Sequence, residues 1–141
     1  MKLTIELVPS SAWYSNVRSN VSQERWDVLR KTCYKAAGYK CEICRGKGPN
    51  HPVECHEIWE YDDGECTQTL KGLIALCPDC HEVKHIGLAG IKGKQDKAIA
   101  HLAKVNEITQ EEATMYVESC FEVWAQRSKK EWKLDIKIIE E

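Results

Sequence analysis

The sequence predicts an α+β fold: a two-stranded hairpin and a following helix, stapled by four cysteines and flanked by longer helices and short terminal strands. Three observations carry this expectation. Two Cys-x-x-Cys pairs, Cys41–Cys44 and Cys77–Cys80, frame the middle of the chain. Apolar residues alternate over short runs between and outside them, as strands require. Both flanks carry 3.6-residue periodicity with capping residues at the right places. A length of 141 residues fits one domain, with its core at residues 41–87 and helical flanks at 22–37 and 95–128.

Each element follows from local chemistry. Leu3, Ile5 and Leu7 alternate with polar residues and predict a short strand that Pro9 ends. Ser22 is a suitable cap for a helix reaching Ala37, with Trp26, Leu29, Cys33 and Ala37 on one stripe and Gly38 as the stop. The first Cys-x-x-Cys follows, then a loop from Gly46 to Asn50. Val53–Trp59 reads as a strand, Asp62-Asp63-Gly64 as a turn, and Leu73–Leu76 as a second strand. Pro78 suits the first turn of a helix carrying His81 and His85 and ending near Gly87. A further helix spans about Gln95–Val105. Thr109-x-x-Glu112 is a capping-box sequence that opens a helix to about Ser128, with Met115, Phe121 and Trp124 on its apolar face. Trp132, Leu134, Ile136 and Ile138 alternate again, and this last strand is expected to pair with the first.

The cysteines point to metal. Each Cys-x-x-Cys sets two sulfurs on one tight knuckle, and zinc suits four soft ligands in a tetrahedron. The gap between the pairs, about thirty residues, exceeds the usual ribbon spacing, so a folded unit is inserted between them. Eight cysteines would also suit a secreted disulfide scaffold. The paired spacing and an N-terminus that alternates instead of forming a signal-peptide core favour a metalloprotein in a reducing, cytoplasmic setting. Cys33 and Cys120 are expected as small buried apolar residues on helix faces. No apolar run approaches a membrane span.

A net charge of −2 does not by itself indicate a nucleic-acid partner, so positive charge would have to act locally. The lysines after the second knuckle, Lys84, Lys92, Lys94 and Lys97, follow the histidines directly. Lys84, Lys92 and Lys94 are the candidates for phosphate contact; a solvated surface is the plainer role for any one of them. His81 and His85, four apart on a helix, share one face. His56 lies on the opposing strand, so the hairpin and helix bring three histidines together above the cysteine staple. Sites with four cysteines build structure, whereas histidine sites with a vacant position do chemistry.

Residues 41–87 resemble the HNH endonucleases, the ββα-metal finger in its zinc-stapled variant. The resemblance is carried by Cys41-x-x-Cys44, Glu54-Cys55-His56 and Leu73-x-x-Leu76-Cys77-x-x-Cys80-His81-x-x-Lys84-His85. It implies a structural Zn2+ on Cys41, Cys44, Cys77 and Cys80. It also implies a catalytic divalent metal (Mg2+, Mn2+, Ni2+ or Zn2+) on His81 and His85, with Cys55 at the place of a third ligand. His56 falls on the general base, which must be neutral to act, so activity should fall at acidic pH. The expected reaction is hydrolysis of phosphodiester bonds in nucleic acid, DNA first, leaving a 5′-phosphate and a 3′-hydroxyl. Two departures stand out. Gly72 occupies the position of the family's middle asparagine, with Gln68 or Thr69 as substitutes. Cys55 is a soft ligand that favours zinc-like metals. Glu57 shares its strand parity with Cys55 and is a replacement ligand, while Glu54 shares parity with His56 and would orient it. The alternatives are a catalytically inactive finger that binds DNA or a protein partner, and a purely structural zinc module. A homodimer or larger complex stays open.

Overall fold

The computed structural model describes residues 1–140. An extended N-terminal segment leads through a 3-10 turn, Ser10–Ala12, to α1 (Val17–Asn20) and α2 (Gln23–Ala36). The hairpin β1 (Glu54–Asp62) and β2 (Thr67–Leu76) follows, then α3 (Pro78–Lys84), α4 (Ile86–Ile91), α5 (Gln95–Asn106), α6 (Gln110–Arg127), β3 (Lys133–Asp135) and a closing 3-10 turn. Among the described residues there are six α-helices and one three-stranded sheet, ordered β1-β2-β3.

Local signals set most boundaries. The Ser22 side chain accepts from Arg25 N at 3.0 Å and starts α2. Gly38, at φ +65°, and Tyr39, at φ +58°, turn the chain left-handedly out of that helix, a conformation glycine takes without steric cost. Pro78 occupies the first turn of α3, where its missing N–H is not needed. Thr109 and Glu112 form both bonds of the capping box that opens α6. β1 and β2 run antiparallel, with His56 opposite Ile74 and Cys55 opposite Ala75. A bulge between Ile58 and Trp59 shifts the register there.

Several expectations are corrected. The N-terminal segment forms no strand. Its alternation survives, with Leu3 and Ile5 buried, but its backbone is held by side chains from the helices. Asn106 exchanges two bonds with Leu3, and the Tyr116 hydroxyl accepts from Ile5 N. The last strand is only three residues long and lies parallel to β2 instead of pairing with the first segment. The third helix stops at Lys84, because His85, at φ −109° and ψ 47°, leaves helical geometry, and α4 restarts at once. Met115 is exposed; Ala113 and Val117 are the buried residues of α6. Gly72, at the position of the resembled family's asparagine, sits within β2 opposite Ile58. Gln68 is fully buried, its amide donating to Ser15 O at 3.4 Å, and it does not reach the histidines.

The hairpin separates two apolar clusters. One gathers Leu3, Ile5, Leu76, Val83, Ile86, Leu102 and Val117 around α3, α5 and α6. The other gathers Val17, Trp26, Leu70 and Ile136 against α2 and the C-terminal turn. Because side chains alternate along β1, His56 faces α3 while Cys55 packs with the second cluster.

Candidate metal centres and the cleft above them

The four predicted cysteines come together. Cys44 Sγ and Cys77 Sγ are 3.6 Å apart, and all four sulfurs lie within 4.8 Å of one another. A tetrahedron built on zinc–sulfur bonds of about 2.3 Å has edges of about 3.8 Å, so the group fits zinc. Backbone amides point at the sulfurs: Cys44 N to Cys41 Sγ at 3.5 Å, Gly46 N to Cys44 Sγ at 3.4 Å, and Cys80 N to Cys77 Sγ at 3.5 Å. The Cys41 thiol is drawn down to about 4, chiefly by its hydrogen bond with Cys80, whose own thiol is pushed up by the same contact. Cys41, Cys77 and Cys80 are buried in the larger core, and Cys44 is exposed. On α5, His101 Nε2 lies 3.2 Å from Cys80 Sγ.

The three histidines also converge. The His56 ring centroid is 5.2 Å from those of His81 and His85, which are 4.8 Å from each other. His85 Nε2 and His81 Nε2 are 3.2 Å apart, and one ligand atom from each of the three lies within 4.8 Å of the others. Metal–nitrogen bonds of about 2.0–2.1 Å in a tetrahedron require nitrogens about 3.3 Å apart, so this group fits a divalent metal with a vacant position. Burial chiefly, then the neighbouring His81 and His56, brings His85 down to about 3. Burial also lowers His81, despite the pull of Glu54. Both are therefore neutral at physiological pH, the state a metal ligand needs.

Carboxylates fix two of these rings. His81 Nδ1 donates to Glu54 at 2.8 Å, which leaves its Nε2 lone pair free. His51 donates to the other oxygen of Glu54 at 2.7 Å. Glu54 thus orients His81, not the expected His56. His56, only 4% exposed, gives its Nε2 proton to Glu6, leaving the lone pair on Nδ1. Glu6 in turn accepts from Lys84 Nζ at 2.9 Å, and Thr4 accepts from the same ammonium at 2.9 Å. Burial would raise Glu6, but the His56 hydrogen bond and the electrostatic pull of His56 and Lys84 outweigh it and hold Glu6 below its ordinary value. Histidine ligands commonly donate their other ring N–H to such a carboxylate, which fixes tautomer and orientation.

Five predicted residues stand elsewhere or differently: Cys55, Glu57, Lys84, Lys92 and Lys94. Cys55 is outside the histidine group; it hydrogen-bonds with Cys33 on the opposite face of β1. Strand parity excludes it, as it excludes Glu57 from being a ligand; Glu57 accepts from Val17 N. Lys84 is 4% exposed and committed to Glu6 and Thr4, so it is not a phosphate contact. Lys92 and Lys94 are exposed in the turn after α4 and are not among the residues that line the cleft, although Ile91, just before Lys92, is.

The histidine group opens into a cleft of about 670 Å³. β1 is an edge strand, so residues from both of its faces reach this space, Glu57 and Trp59 beside His56. Burial raises the Glu57 carboxyl, with the Val17 and Arg18 amides opposing. Sequence reasoning missed Glu6 and Thr4. Their only sequence signal is parity: they are the polar positions of the N-terminal alternation, on one side of the segment. No family model, curated protein or solved structure matches the chain, so its function is argued from its own residues.

Proposed function

We propose that the chain is a metal-dependent nuclease of the HNH type that hydrolyses phosphodiester bonds in nucleic acid. The observation that carries this reading is the meeting of three imidazoles, from a hairpin and the helix after it, at the floor of an open cleft. The four cysteines beneath hold that hairpin and helix together, with zinc as the metal their chemistry suits. A divalent metal on His56, His81 and His85 would supply Lewis-acid stabilisation of the charge that builds on a phosphoryl group and its leaving oxygen.

The roles within the site follow from what each side chain touches. His56 was expected to act as the base. Its ring is instead packed equally against His81 and His85 and its Nε2 is committed to Glu6, which favours a ligand role. Among the carboxylates lining the cleft, Glu6 is already tied to His56 and Lys84. Glu57 also lines the cleft, but its carboxylate accepts from Val17 N, so neither carboxylate is assigned as the base that takes a proton from attacking water. Glu54 and Glu6 keep the rings aimed, and Lys84 keeps Glu6 ionised.

A plasmid-nicking assay with Mg2+, Mn2+, Ni2+ or Zn2+ tests the reading. Glu57→Gln should keep both the second metal and cleavage near wild type, because that carboxylate is held by the Val17 amide. His56→Ala should lose both cleavage and the second metal. Absence of metal-dependent cleavage of any DNA or RNA form sinks the proposal in favour of a binding module. A His56→Ala protein that keeps the metal but not the activity restores His56 as base.

A further inference from the structure

The cleft is aromatic to a degree that the metal chemistry does not need. Trp13, Trp26, Trp59 and Trp124 line it, four of the five tryptophans in the chain, together with Tyr61 and Phe121, its one phenylalanine. The rings are preorganised. The indole N–H groups of Trp13 and Trp124 both donate to Val8 O, each at 2.9 Å. Phe121 braces Trp124 edge-on at 6.2 Å. Trp13 is nevertheless 54% exposed. A fixed, solvated indole beside an open cleft exposes apolar surface without burying it in the fold, at a free-energy cost that a ligand face can recover.

Charge decides which ligand. Duplex binding depends on many phosphate contacts by lysine and arginine. Here the cleft offers Arg18 against Glu6 and Glu57, and Lys84 is internal. Affinity in this cleft must therefore come from ring faces. A base kept in a duplex stack presents only its edges, whereas an unstacked base presents a face to an aromatic platform. The volume, about 670 Å³, is within the range of pockets that enclose small ligands. On this basis we infer that the substrate is a single-stranded or locally unpaired segment of nucleic acid, with an unstacked base held against Trp13 beside the histidine centre. The inference rests on the nuclease reading for its choice of ligand and narrows it to a substrate form.

The test is binding to zinc-loaded full-length protein without added second metal, read by anisotropy of labelled 12-nucleotide strands of thymidylate DNA and uridylate RNA and of a 12-base-pair DNA duplex. At least one single strand should bind roughly tenfold or more tighter than the duplex, since stacking on one aromatic side chain is worth about 1–3 kcal/mol per base. The salt dependence should be shallow, with a slope on the order of −1 for one arginine contact. Trp13→Ala should weaken the single strand about tenfold with zinc content and melting unchanged, and Trp13→Phe should retain most of the affinity. The preferred strand assigns the sugar. A duplex that binds as tightly as either strand, or a Trp13→Ala protein that binds strands normally, overturns the inference. The two proposals fail separately. Strand binding that needs Trp13 without any cleavage leaves this inference standing alone. Duplex nicking that is indifferent to Trp13→Ala leaves the nuclease standing alone.

Discussion

The two ends of α3 carry two groups that could hold a metal, built on opposite plans. At its N-terminus, Cys77 and Cys80 join Cys41 and Cys44 in a group of four soft ligands with backbone amides aimed at the sulfurs and three of the four cysteines buried. At its C-terminus, His81 and His85 join His56 in a group of three borderline ligands, of which His81 and His56 have their other ring nitrogen held by a carboxylate. The first is complete and faces the core; the second is one ligand short and faces a cleft. One short helix thus supplies both a staple and an open site. The staple fixes the helix start within the core, and that fixes where the histidines one turn later point. Substitutions at the two ends should separate stability from metal-dependent chemistry.

The largest effect is expected at the staple. Cys41 is fully buried, and its group links segments far apart in sequence, so metal binding there is folding free energy. Cys41→Ser should lose zinc and unfold, or melt far below the wild type, by metal analysis and thermal denaturation. A strong chelator should have the same effect. Retention of both zinc and wild-type melting removes the four-cysteine assignment.

At the other end the fold should survive. Losing a residue behind a metal ligand typically costs about 10–100-fold in affinity, so losing the ligand itself in His85→Ala should cost on the order of 100-fold or more. Calorimetric titration of zinc-loaded protein with Mn2+ or Ni2+ reads this, with one zinc per chain retained. Unchanged affinity would take His85 out of the site.

Between the two lies the ion pair that supports His56. Removing one partner of a buried pair costs about 3–5 kcal/mol. Glu6 is about a quarter exposed, so Lys84→Met is expected to cost less, about 2 kcal/mol. The sign of the pH effect follows from Glu6. Its folded pKa is depressed, so the stability it contributes is present above its ordinary value of 4.5 and is lost as pH falls through the lower folded value. In Lys84→Met that acid loss should begin at higher pH, read by melting temperature between pH 3 and 7. Nucleic-acid affinity should be unchanged, whereas a phosphate-binding lysine would lower it.

The sequence was most informative where chemistry is local. The knuckles, the Thr109 capping box, Pro78 and the hairpin–helix order are each written within a few residues, and they place all three histidines. Glu6 was illegible because it reaches His56 from fifty residues away, and only the folded core brings its segment across α3. The partner of β3 was misread for a related reason: alternation marks a strand but not its neighbour. The assignment of Cys55 failed because adjacent strand residues face opposite ways, and the motif offered two candidates, of which only one can face the helix.

That last point gives the smallest and sharpest test. Cys55 is half-buried, lies beside Cys33, and packs with Leu29 and Trp59 in the smaller core, on the face of β1 opposite His56, although it lines the same cleft. As a packing residue it contributes through burial of one sulfur, so Cys55→Ala should cost about 1 kcal/mol in stability. Its thiol is pushed up by the Cys33 hydrogen bond and by burial, the reverse of what a metal-binding thiolate needs. Second-metal affinity and any cleavage rate should therefore stay at wild-type values in Cys55→Ala. The same should hold in a Cys33→Ala, Cys55→Ala double variant, whose stability loss should fall short of the sum of the singles because the two share one contact. A tenfold fall in metal affinity in the single variant would put Cys55 among the ligands and would mean that β1 turns its other face to α3.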